Sequence, residues 1–152
     1  MTYEVLLNRR LAFQIFLREV GCVKIRAVGD SMMPTIQNGE IISIFSLKKP
    51  EEIKIGSIIL FQRYSLFLIH RVVELINGYC LVKGDNETEV DAVRIKNIIG
   101  LNKDISTMNQ KEMRTFTKDI KVNKRIFRFK VVNGLLETVE LNEEVASVES
   151  RV

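Results

Sequence analysis

The chain opens with apolar residues at three- and four-residue spacing. Leu6, Leu7, Leu11, Phe13, Ile15, Phe16 and Leu17 recur this way, with Arg9, Arg10 and Gln14 between them. That pattern predicts an amphipathic helix over 3–19, and Gly21 is placed to end it. The period then shortens to two residues. Val23, Ile25 and Ala27 alternate with Lys24 and Arg26, as in a strand with one buried face. Pro34 and Gly39 interrupt regular structure beyond it, and further strands are predicted at 40–45, 57–62, 66–75, 79–83 and 93–99. Asn77-Gly78 and Asn133-Gly134 each separate two apolar runs. Both residue types tolerate the positive φ of a type I′ hairpin turn, so hairpins are expected there, the second joining 126–132 to 135–141. A polar stretch, Leu101–Gln110, follows Gly100. The expected architecture is mainly β in three parts: an N-terminal helix at 1–20, a core at 21–100, and an appended C-terminal β-hairpin at 101–152 with a frayed acidic end over 140–152.

A chain of 152 residues is long enough to bury a real core as one domain, or one domain with an appendage. Nowhere do about 18 apolar residues run together, so no transmembrane helix is predicted. Arg9, Arg10, Arg18 and Glu19 break up what would otherwise be a signal peptide. Cys22 and Cys80 form no CxxC pair. With a single histidine in the chain, no metal site or cofactor is expected, and the thiols read as a reduced, cytoplasmic pair.

The net charge of +4 is uneven: residues 111–130 hold eight Lys and Arg against Glu112 and Asp119. Nucleic acid, anionic lipid and acidic peptide would all suit such a stretch electrostatically. No base-reading motif or stacking aromatic array accompanies it. A solvated strand face, and no nucleic-acid partner, is the expectation.

The candidate chemistry centres on that single histidine. His70 lies in Ile69-His70-Arg71-Val72-Val73, downstream of Gly29-Asp30-Ser31-Met32-Met33-Pro34 and upstream of Lys83-Gly84-Asp85-Asn86. An imidazole titrates near neutral pH and suits general-base work. A serine hydroxyl is inert there until a neighbouring base takes its proton. Asp85 or Asp91 is available to hold the ring in one tautomer. Taken singly these motifs are ordinary: serine after glycine is common in turns, an isolated strand histidine is usually a satisfied core residue, and Gly-Asp-Asn is a frequent turn.

In combination, Ser31-Met32-Met33-Pro34, Gly39-Glu40, Ile55-Gly56-Ser57-Ile58-Ile59, His70-Arg71-Val72-Val73, Lys83-Gly84-Asp85-Asn86 and Asp91 resemble the S24/S26 serine peptidases. That superfamily includes type I signal peptidases and the self-cleaving phage and SOS repressors. The resemblance covers roughly residues 20–100. Ser31 and His70 are 39 positions apart, and Asp85 and Asp91 six; both intervals are similar to those of the signal peptidases that use histidine as base. The resemblance implies a signal peptidase/repressor-protease-like coiled β-sheet fold and a serine endopeptidase that cleaves a leader or precursor peptide bound as an extended strand. It implies Ser31 as nucleophile, His70 as base, Asp91 as the residue orienting the ring, and Asp85 as a second, more structural acid. Met32 and Pro34 match residues shaping the nucleophile turn and its apolar pocket.

There are departures. Gly29 stands where many signal peptidases offer a serine hydroxyl to the oxyanion. Asp30, directly before the nucleophile, adds a carboxylate expected to raise the pKa of His70. Where those signal peptidases carry a membrane helix, this chain has the amphipathic 3–19 stretch, which implies a soluble, stand-alone peptidase. Two other readings stay open: a membrane-surface enzyme whose helix lies in the lipid interface, and an inactive peptide-binding module of the same fold.

Overall fold

A computed structural model describes residues 2–141. The first helix forms as α1 (Tyr3–Val20), where the Thr2 hydroxyl accepts the Val5 N–H and the Gly21 N–H closes the last turn on the Leu17 carbonyl. Strands follow as β1 (Cys22–Arg26), β2 (Ile41–Phe45), β3 (Ile58–Arg63), β4 (Leu66–Ile76), β5 (Tyr79–Lys83), β6 (Asp91–Arg94), β7 (Gly100–Lys103), β8 (Phe116–Val122), β9 (Arg125–Val132) and β10 (Leu135–Leu141). They form one ten-stranded sheet in the order β6-β5-β4-β3-β7-β2-β1-β10-β9-β8. Neighbours are antiparallel except β1 and β10, which run parallel and meet at Lys24 and Leu135. The protein is mainly β with one helix. No helix among the described residues is long and apolar enough to cross a membrane.

Both Asn-Gly turns form with positive φ at each residue, 26° and 79° at Asn77-Gly78 and 49° and 81° at Asn133-Gly134. Three boundaries differ from expectation. The strand foreseen over 93–99 is instead the short β6, followed by a helical turn at Ile95–Asn97. The polar stretch after Gly100 begins with β7, which lies at the middle of the sheet and pairs with β2 and β3, so no domain boundary falls there. The appended hairpin is a three-stranded meander, β8–β10, joined to the sheet through β1. The acidic end foreseen over 140–152 lies almost wholly outside the described residues.

Two apolar clusters hold the sheet. The larger gathers Ala12, Phe13, Phe16 and Leu17 of α1 with Phe127, Phe129 and Val131 of β9 and Ile44, Leu60 and Met32. Phe16 lies 4.3 Å from Phe129 between ring centroids, and Phe13 packs edge-on against Phe67 and Phe129 at 5.0 and 5.5 Å. The helix therefore buries Ala12, Phe13, Phe16 and Leu17 against the sheet. The smaller cluster packs Ile59, Phe61, Val72, Cys80, Val82 and Val93 on the other side of β3–β6. Cys22 and Cys80 are free and buried. Burial, with the Glu112 carboxylate as hydrogen-bond acceptor, pushes the Cys22 thiol up to about 12.

Candidate active site

His70 sits in the middle of β4, opposite Ile59 of β3, with only 3 % of its surface exposed. On its other side β5 reaches as far as Lys83, paired with Arg71, so the next rung sets the histidine beside Gly84, just past the strand end. Ser31 lies in the turn that follows β1. The loop over 84–87 clasps that turn. The Asn86 N–H donates to the Ser31 carbonyl at 2.9 Å, the Asn86 side chain to the Asp30 carbonyl at 3.2 Å, and the Asp85 N–H to the Met32 sulfur at 3.4 Å. Gly84 is the point of closest approach. A Cβ there would stand 2.6 Å from the Ser31 carbonyl oxygen and 2.6 Å from Glu87 Oε1, so any side chain would force the Ser31 backbone to shift.

The carboxylate that reaches the ring is Glu87's, with Oε1 3.2 Å from His70 Nε2. Nδ1 is buried without a hydrogen-bond partner. Asp91, expected to orient the ring, instead pairs with Arg63 at 2.6 Å and acts on His70 only through its charge. Asp91 begins β6, opposite Val82 of β5, whereas Glu87 belongs to the loop that turns back beside His70. Glu87 was legible in sequence only as part of an acidic turn, because nothing in its spacing marks which acid folds back.

Asp85 holds the loops together. Its carboxylate accepts two hydrogen bonds from Arg71 at 2.8 Å and one from the Thr35 hydroxyl at 2.6 Å. Arg71 chiefly, with Thr35, pulls the Asp85 carboxyl down to about 2. These partners are side chains of β4 and the Ser31 turn, not the local backbone N–H groups a turn aspartate usually takes. The Lys83 ammonium donates to the Gly84 and Glu87 carbonyls, both at 2.8 Å, bracing the same loop.

Burial lowers the pKa of His70 below the ordinary histidine value, and the charges of Glu87 and Asp91 offset this only in part. Asp30 is not among the groups acting on the ring, so the increase expected from it does not arise. Neutral imidazole is the stable form at neutral pH. No hydrogen bond joins the Ser31 hydroxyl to His70 among the described residues. Met32 is buried and lines a groove of about 190 Å³ beside Ser31, whereas Pro34 stands outside that groove. Ala27, Val28 and Gly29 form one wall and Phe67, Leu68 and Ile69 the other. Beyond Lys24 the edge of β1 toward β10 has no strand partner, and β4 before Arg71 has none on the β5 side. The groove is thus lined by residues at or beside two strands that each leave one edge unpaired. No protein-family model, curated protein or solved structure matches the chain.

Proposed function

We propose that this protein is a serine endopeptidase with the coiled-sheet fold of the S24/S26 superfamily, cutting a leader or precursor peptide at Ser31. The observation that supports this best is the meeting at Gly84. Ser31's main chain and the acid partner of the only histidine in the chain approach the same atom to within one Cβ contact. With Glu87 accepting from Nε2–H, the free lone pair of His70 is at Nδ1. That nitrogen takes the Ser31 proton as the hydroxyl attacks the peptide carbonyl, and returns it to the leaving amine. Water then hydrolyses the acyl-enzyme by the same base. Glu87 stabilises the imidazolium formed between these steps, the part an aspartate takes in other triads. The Ser31 N–H has no partner among the described residues and is available to the oxyanion, where each such donor contributes roughly 10²–10³ in rate.

The peptide enters as an added strand between the two unpaired edges, its side chains alternating into the groove. The burial of Ala12, Phe13, Phe16 and Leu17 of α1 weighs against a helix lying in the lipid interface.

The test is paired. Wild-type protein and Ser31→Ala are incubated with a fluorophosphonate probe and with a peptide library read by mass spectrometry. Labelling at Ser31 and cleavage are expected from wild type alone, with Ser31→Ala slower by about 10⁴-fold or more and its stability changed by less than about 1 kcal/mol. Equal cleavage by both proteins would refute the assignment. Peptide binding by both without turnover would leave a binding module instead.

A further inference from the structure

A second cavity lies away from Ser31. It encloses about 570 Å³ between the C-terminal half of α1, the segment after β2 and the β4–β5 hairpin turn. Its rim carries Arg18, Lys48, Lys49, Arg94 and Lys96, and no Asp or Glu lines it. All five are exposed, and none is in an ion pair among the described residues. Other cations are in ion pairs, Arg63 with Asp91, Arg71 with Asp85, Lys103 with Glu52, Lys118 with Glu19, Arg125 with Glu4 and Arg128 with Asp119, while Lys121 and Lys124 of the meander, among others, are in none among the described residues. The floor is apolar, made by Leu47, Ile95, Ile98 and Ile99, with Tyr79 on one side beneath the Arg94 guanidinium at 5.2 Å. Five unmatched like charges repel one another, and a cleft so lined concentrates anions from solution. The floor favours an anion with an apolar body over a bare inorganic ion.

We propose that this cavity docks an acidic peptide segment carrying large apolar side chains, at a site separate from the cleavage groove. A peptide is favoured over nucleic acid because the charges ring a concave apolar cavity with one tyrosine, rather than tracking a groove lined by several stacking aromatics. It is favoured over a lipid surface because the apolar groups lie on the cavity floor and not on a protruding face. The outer edge of β6, the end strand of the sheet, runs from Arg94 on the cavity rim, leaving backbone groups open to an extended chain. Tyr79 is five residues along β5 from Gly84, about 16 Å at the rise of a strand. A substrate gripped here would present its scissile bond several residues away. That connection to cleavage rests on Ser31 being the nucleophile; the docking itself does not.

The experiment uses Ser31→Ala, so that binding is read without turnover. A fluorescein-labelled twelve-residue peptide alternating Glu and Leu is titrated by anisotropy, beside a Lys–Leu peptide of equal length. Phosphatidylserine vesicles and single-stranded RNA are titrated in parallel. Binding of the Glu–Leu peptide alone is expected, weakened at least tenfold by Lys48→Glu with Lys96→Glu. The control pair Lys121→Glu with Lys124→Glu, which changes net charge equally on the meander, should alter it less than twofold. Equal weakening by both pairs would overturn the proposal, as would comparable binding of the Lys–Leu peptide. So would binding of vesicles or RNA, but not peptide, that the Lys48/Lys96 pair abolishes. Unchanged thermal melting of both double variants confirms that they are folded. If Ser31 proves not to be the nucleophile while the peptide still binds, the docking stands and only the enzymatic reading falls.

Discussion

The two sides of Ser31's neighbourhood are held by different forces. On one side α1 and the β8–β10 meander meet chiefly through Phe13, Phe16, Phe127 and Phe129, with Asn123 donating to Asn8 and the Lys118–Glu19 and Arg125–Glu4 pairs beside them. On the other, the Ser31 turn is fastened to the 84–87 loop by directed contacts of Asn86, Asp85, Thr35 and Arg71. Packing is large in energy and tolerant in angle. Hydrogen bonds contribute little net energy each, but they fix direction. The protein places its stability in the first region and its geometry in the second, as the proposed catalytic role of the Ser31 turn would require.

The sharpest way to break that division is Phe16→Ala. Phe16 is fully buried and touches Phe13, Phe116 and Phe129. Its truncation should cost about 3–5 kcal/mol in chemical denaturation. The same variant should keep wild-type turnover per folded molecule at low temperature. A kcat that falls in the folded fraction would show that the two regions are not separable.

Gly84→Ala attacks the clasp itself. The added methyl would meet the Ser31 carbonyl, which is backbone and cannot swing away. Overpacking of this kind costs about 1–3 kcal/mol, and the larger effect should be on activity, because Ser31 and the Glu87–His70 pair are pushed apart. A stable, fully active Gly84→Ala would mean that the close approach is not needed.

Asp85→Asn removes the acid that ties three segments together and should cost about 1–2 kcal/mol at pH 7. The wild-type carboxyl is depressed to about 2 in the folded protein against 3.8 in a free chain. Its contribution is therefore present above about pH 4 and fades as pH falls toward 2. Melting curves of wild type and Asp85→Asn should converge over that interval. A constant gap down to pH 2 would assign the difference to packing.

What could be read from the chain follows the same division. The helix, the strands of β1–β5 and both Asn-Gly turns are local features, set by periodicity and backbone preference, and they form where the pattern puts them. β7 escaped because its four residues, Gly100-Leu101-Asn102-Lys103, show no alternation; its place at the centre of the sheet is decided by β2 and β3 on either side. β8 was hidden by Lys118, Asp119 and Lys121, whose charges read as solvated surface although Ile120 between them is buried. The site divides likewise. Ser31, His70 and Asp85 stand in recognisable motifs, whereas the choice of Glu87 over Asp91 as the ring's partner depends on how far β5 runs before its loop turns back. That is a tertiary fact with no local signature.

The smallest effect, and the one that distinguishes the two acids, is a shift in the pH–rate profile. In the proposed mechanism only neutral His70 accepts the serine proton, so kcat/KM should rise with pH as the free protein's imidazole deprotonates. Burial lowers that pKa, which puts the ascending limb below the ordinary histidine value of about 6.5. The same sign governs stability. A buried imidazole that resists protonation in the folded state lets the unfolded chain bind the proton first, so the protein loses stability as pH falls below about 6.5. Glu87 raises the histidine's pKa more than Asp91 does. Glu87→Gln should therefore move the limb further to the acid side, and Asp91→Asn should move it less. In addition, Glu87→Gln should lower the plateau rate, because the imidazolium loses its carboxylate partner, while Asp91→Asn should leave the plateau nearer wild type. Profiles of the three proteins measured on one peptide decide the matter. Should Asp91→Asn give the larger displacement and the lower plateau, Asp91 is the orienting acid during turnover and Glu87 only a strut of the loop.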